Sequence, residues 1–191
     1  MYGGIRPQRL SWLVNLEGFG LPPTDPRDGP ARYAKWLDEL REPLRQGRYR
    51  SVAQLAALLR ARNSRLPPER ATLIAQAWTR PVALTPPGSG VEQREDEVEL
   101  LFDPRHRLGN PVLYRRQEAE ACWARIAAPV LLMRGGVEDG RSGAMRQISG
   151  EVNKHVRNMH GVTVASAGHM LHHEKPEEVA RHIAEFERKV R

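Results

Sequence analysis

Apolar residues recur along this chain in two rhythms, and each predicts an element. Residues 10–16, LSWLVNL, are nearly continuous in apolar character, the pattern of a strand covered on both faces in a parallel sheet. The following LPPTDPRDGP is too rich in proline and glycine to continue a strand or a helix. From Ala31 the rhythm turns helical, with Tyr33, Trp36, Leu37, Leu40 and Leu44 at the spacing of one helix face. Ser51 is placed to cap a second helix, VAQLAALLRARN, whose apolar side is Val52, Leu55, Leu58 and Leu59. Pro67 and Pro68 suit the first turn of a third, with Leu73, Ile74, Ala77 and Trp78 inward.

The stretch 81–97, PVALTPPGSGVEQREDE, is poor in order-promoting residues and predicts an exposed loop. A short apolar run at VELLF leads into a helix over 111–125. The last third alternates cleanly. APVLLMRGG (128–136) predicts a buried strand, and RSGAMRQISGEVNKHV a helix with Met145, Ile148, Val152 and Val156 inward. GVTVASAG (161–168) predicts another strand, and 176–190 a helix burying Val179, Ile183, Phe186 and Val190. Strand and helix in alternation imply right-handed parallel crossovers, hence an α/β fold of about three parallel strands with flanking helices. The helices at 31–80 then interrupt the sheet. The expected divisions are 1–20, a helix end and a core strand; 21–127, a helical insertion and its return; and 128–191, the remaining core.

Composition changes this picture little. No apolar run approaches the length of a membrane span, and MYGGIRPQRL lacks the apolar stretch of a signal peptide, so a cytoplasmic protein without a membrane partner is expected. The single cysteine, Cys122, excludes an internal disulfide and sits in a helical pattern as a small apolar residue. A net charge of +7 invites nucleic acid, but the arginines are scattered, many beside acids. The densest piece, RQGRYRS at 45–51, carries one aromatic, too little for a base-stacking platform. No nucleic-acid partner is expected.

Candidate chemistry lies just beyond the carboxyl ends of the predicted strands, where open α/β sheets gather reactive groups. Glu17 follows the first strand, Glu138 and Asp139 follow the second in RGGVEDG, and His169 follows the third. An acid after one strand and a histidine after another is how an imidazole is held in one tautomer and made a useful base. His172 and His173 stand three and four residues after His169, a zinc-like spacing. Such a site needs a regular helix across its ligands, and Pro176 starts the helix after them, so no metal is expected. Trp12, Trp36, Trp78 and Trp123 read as packing residues, with Trp36 or Trp78 available to line an apolar pocket. Asp103-Pro104-Arg105-His106 reads as a turn.

APVLLMRGGVEDG, a helix, and GHMLHHEKPEEVARHIAEF together resemble the last two strand–loop–helix units of the α/β-hydrolase fold family. LVNLEGFG and the helices after it resemble the core strand that leads into that family's helical cap. The resemblance implies that His169 is the general base and Asp139 the acid that orients it. In some members the acid follows the earlier strand, which makes Glu17 the alternative and Glu138 the third candidate. It also implies hydrolysis of a small apolar ester-like substrate by a serine-type nucleophile, with no cofactor. One departure is decisive. The family's nucleophile sits on a G-x-S-x-G turn, and this sequence contains none. Ser142, Ser149 and Ser166 lack the strand–turn–helix setting, and no oxyanion loop precedes the first strand. Met1 falls where the helix behind the nucleophile would run. The expectation is therefore the C-terminal part of a hydrolase, inactive as this chain and prone to self-association along a bare sheet edge. The alternative is a non-catalytic pseudo-hydrolase that binds a ligand or a protein.

Overall fold

A computed structural model describes residues 1–18, 20–82, 96–137, 152 and 154–191. The chain divides into two compact units, residues 1–26 with 113–191 and residues 27–112.

The first unit is organised by a parallel sheet. Its strands are β1 (Leu13–Leu16), β5 (Val130–Gly135) and β6 (Met159–Val164), in the order β1-β5-β6. Leu13 pairs with Val130 and Leu16 with Met133 on one side, and Val130 with Met159 through Gly135 with Val164 on the other. The central strand is buried almost throughout, because helices or loops cover both of its faces. Its side chains alternate between two cores. Val130 and Leu132 join Ala119, Trp123, Ile126, Val152 and Val156. Leu131 and Met133 join Val164, Ala167, Leu171, Val179 and Phe186.

Two helices supply part of this cover, two buried side chains each. Helix α5 (Arg116–Ala124) turns Ala119 and Trp123 inward, with the Arg116 guanidinium stacked on the Trp123 ring at 4.9 Å and bonded to Glu120 at 2.7 Å. A short helix, α1 (Tyr2–Ile5), packs on α5 so closely that a Cβ on Gly4 would collide with the Cys122 carbonyl. The last helix, α7 (Pro176–Val190), opens on proline, carries Glu177 and Glu178 in its first turn and Arg188 and Lys189 in its last. It buries Val179 and Phe186, and Phe186 meets Trp12 edge to face at 6.3 Å.

The second unit contains α2 (Gly29–Glu39), α3 (Val52–Arg62) and α4 (Pro68–Ala77), with a small antiparallel sheet. That sheet orders β2 (Arg48–Tyr49), β4 (Val98–Leu100) and β3 (Thr79–Pro81) as β2-β4-β3. Ser51 caps α3 by accepting from the Gln54 amide at 3.2 Å. The core is Leu55, Ala56, Leu66, Ala71, Ile74, Ala75 and Leu100.

Several expectations need correcting. The first strand starts at Leu13 rather than Leu10 and is only half-buried, since it lies at the edge of the described sheet. The third runs over 159–164, and Ala165–Gly168 already turn away. The helix expected over 111–125 begins at Arg116. The stripe Tyr33, Leu37, Leu40 and Leu44 is exposed. On α3 and α4 the inward faces are rotated: Leu58, Leu73 and Trp78 are exposed, while Ala56, Ala71 and Ala75 are buried. Leu55 and Ile74 are buried as expected, and Ala56, Ala71 and Ala75 share their cluster, so small residues mark the contact alongside large ones. The three-stranded antiparallel sheet was not expected at all. Met145, Ile148 and most of the 81–97 stretch lie outside the described residues.

Candidate active site

The parallel sheet brings one acid and one base together at its carboxyl end. The Glu17 amide continues the ladder by donating to Met133 O at 2.8 Å. The chain then turns sharply, with Glu17 at φ 73° and Gly18 at φ 156°. Asn15 Oδ1 fastens this turn by accepting from the Gly18 amide at 3.0 Å. The result sends the Glu17 side chain back over the end of β5, where the residue is 6% exposed. Its Oε1 accepts from the Gly135 amide, and its Oε2 lies 3.2 Å from His169 Nδ1.

His169 stands on the loop after β6, and that loop is held from below. Gly136 donates to Val164 O at 2.8 Å and Val137 to Ala167 O at 3.0 Å, so the two chains stay paired past the strand ends. A Cβ on Gly135 would run into the carbonyls of Ala167 and Gly168, so this approach requires glycine. Glu174, 4% exposed, closes the loop by accepting from the Gly168 amide at 2.8 Å. Two buried carboxylates therefore frame the histidine. One meets its ring, and the other holds the peptide just before it.

The contact bears on the two tautomers of the imidazole. A carboxylate without a proton only accepts hydrogen bonds, so such a partner at this edge favours the tautomer with its hydrogen on Nδ1. In that tautomer Nε2 carries the free lone pair, and it has no partner among the described residues. Neighbouring His173, half-buried on the short helix α6 (Leu171–Glu174), is held below the usual histidine range. Burial is the main cause and the nearby His172 adds to it, while the Glu174 carboxylate opposes both.

Of the residues singled out from sequence, His169 and Glu17 meet. Asp139 and Glu138 lie outside the described residues. The rings of His172 and His173 lie 4.1 Å apart between centroids, tilted by 45°. Among the described residues no group of three His, Cys, Asp or Glu side chains converges as a metal site would. Asp103 caps the short 3-10 turn Pro104–Arg107, and its hydrogen bond from the Arg105 guanidinium holds its carboxyl below the usual range. Sequence reasoning missed Glu174. Its signal was an acid inside a turn otherwise made of histidines, two residues before Pro176.

Solved structures share this architecture. A thioesterase domain from the curacin biosynthetic pathway superposes with a TM-score of 0.72 at 19% identity, over 96% of this chain and 60% of its own length. The M. tuberculosis esterase gives 0.60 at 15%, over 96% and 57%. A peroxisomal alpha-beta-hydrolase from Saccharomyces cerevisiae gives 0.60 at 12%, over 96% and 48%. The chain has the α/β-hydrolase fold. It spans about 60% of the length of the thioesterase domain and less of the other two. No family profile and no curated protein sequence matches it. The fold puts the Glu17–His169 pair where open sheets of this kind collect reactive groups. No helix among the described residues is long and apolar enough to cross a membrane.

Proposed function

We propose that this chain carries the proton-transfer half of a serine-type α/β hydrolase acting on small apolar ester-like substrates in the cytoplasm. The observation that carries the reading is the contact between His169 Nδ1 and the buried Glu17 carboxylate. His169 Nε2 takes the proton of an attacking hydroxyl as its oxygen bonds to the substrate carbonyl. It then passes that proton to the departing alcohol, and a water repeats the exchange to free the acid. Glu17 keeps the ring in the Nδ1–H tautomer and stabilises the imidazolium that forms between these steps. Asp139 is the competing candidate for the same role.

The sequence has no G-x-S-x-G turn, so the attacking hydroxyl comes from a segment beyond these residues. By itself the chain does not turn over esters. The outer edge of β1 is the side on which a further strand, or a second copy of the chain, would pair.

Two measurements test this. The purified chain mixed with 4-nitrophenyl acetate should show no burst and a rate unchanged by His169→Ala; turnover that depends on His169 would refute inactivity. Long-range 1H–15N spectra should show His169 as the Nδ1–H tautomer, with Glu17→Ala releasing it toward the Nε2–H form. A signal indifferent to Glu17→Ala but moved by Asp139→Asn would transfer the orienting role to Asp139.

A further inference from the structure

A second feature lies wholly within residues 27–112 and stands apart from the reading of His169. A cavity of about 720 Å³ opens there, walled by Leu55, Leu59, Trp78, Leu100 and Phe102. This volume is within the range that holds small ligands. The walls are built from fixed backbone. The Leu101 amide donates to Trp78 O at 2.9 Å, and the Gln46 side-chain amide reaches Leu100 O and, at 2.8 Å, Phe102 O. Apolar side chains supply the interior, and the two cationic lining residues, Arg62 and Arg107, are exposed to solvent.

Among the described residues those two arginines are not neutralised by an acid. Arg48 and Arg80 pair with Glu99, and Arg105 pairs with Asp103. Arg62 and Arg107 have no carboxylate partner among the described residues. The Arg107 guanidinium lies over the Phe102 ring at 5.4 Å and donates to Arg45 O at 3.5 Å. A guanidinium above a ring keeps part of its N–H edge for an anion. We propose that this cavity binds an amphiphilic carboxylate, with its unbranched apolar tail inside and its head at Arg62 and Arg107. The tail sets the affinity, since each buried methylene contributes about fourfold. The exposed arginines set the preference for an anionic head, about fivefold together.

Calorimetric titration of the full chain with decanoate tests this. One decanoate should bind per chain, with a Kd on the order of 100 µM or tighter. Decanol should bind about fivefold more weakly and decyltrimethylammonium more weakly still. Arg62→Gln with Arg107→Gln should bring decanoate down to the level of decanol and leave decanol itself unchanged. Ala77→Phe, which puts a ring into the cavity from an exposed lining position, should weaken all three by about tenfold or more. Circular dichroism melts check that each variant folds. Absence of saturable decanoate binding below about 1 mM would overturn the proposal. So would equal uptake of all three amphiphiles, or indifference to Ala77→Phe in a folded variant.

Discussion

The two units bury apolar side chains in different ways. In the sheet unit the central strand alone places Val130, Leu131, Leu132 and Met133 at 2% exposure or less, and both of its faces are filled with large residues. In residues 27–112 the buried set is small and rich in alanine, while Leu37, Leu40, Leu58, Leu73, Trp78 and Leu101 remain exposed. A parallel strand needs cover on two sides, so its large residues are all consumed by packing. The helix pair of residues 27–112 meets through Ala56, Ala71 and Ala75 beside only Leu55 and Ile74, one side of each helix. That leaves its other bulky residues free for surfaces and cavities.

If this contrast is right, equal truncations will have unequal costs. Leu132→Ala, at the middle of the central strand, should cost about 3 kcal/mol in urea unfolding, because both transfer energy and packing are lost. Ser51→Ala should cost about 1 kcal/mol through the lost α3 cap. Leu73→Ala, on the exposed side of α4, should stay within about 0.5 kcal/mol. A Leu73→Ala loss as large as that of Leu132→Ala would erase the distinction. The smallest expected effect belongs to His173. Burial depresses its proton affinity in the folded chain, so the unfolded chain takes up the proton first. Its contribution is complete above the ordinary histidine value and falls away as pH drops through that value toward the lower native one. The urea midpoint of the wild type should therefore decline between about pH 7.5 and pH 5 by more than that of His173→Gln.

Long or strongly patterned segments were legible in the sequence. The central strand, the last helix with Val179 and Phe186 inward, and the Ser51 cap all follow from local rules. The antiparallel sheet was not legible, because strands of two or three residues carry no period to read. On the helix faces of residues 27–112 Leu55 and Ile74 are inward as their spacing implies, whereas Leu58, Leu73 and Trp78 are exposed and Ala56, Ala71 and Ala75 take their place, because size alone does not mark burial. The site divides in the same manner. His169 announced itself by its position after a strand, but three carboxylates were available to it. The contact at Glu17 joins residues 152 apart in sequence, a relation set by strand order and not by any local pattern. Glu174 stayed hidden because its partner is a backbone amide, and the sequence carries no separate letter for that group.

Glu17 also bears a cost that its neighbours avoid. A residue with a side chain at φ 73° sacrifices about 1 kcal/mol or more relative to glycine. Glycine would not simply recover that energy, because the buried carboxylate also takes up the Gly135 amide at the end of the neighbouring strand. The strained corner and the tethered amide are two halves of one joint, and Glu17→Gly would relax the first while orphaning the second.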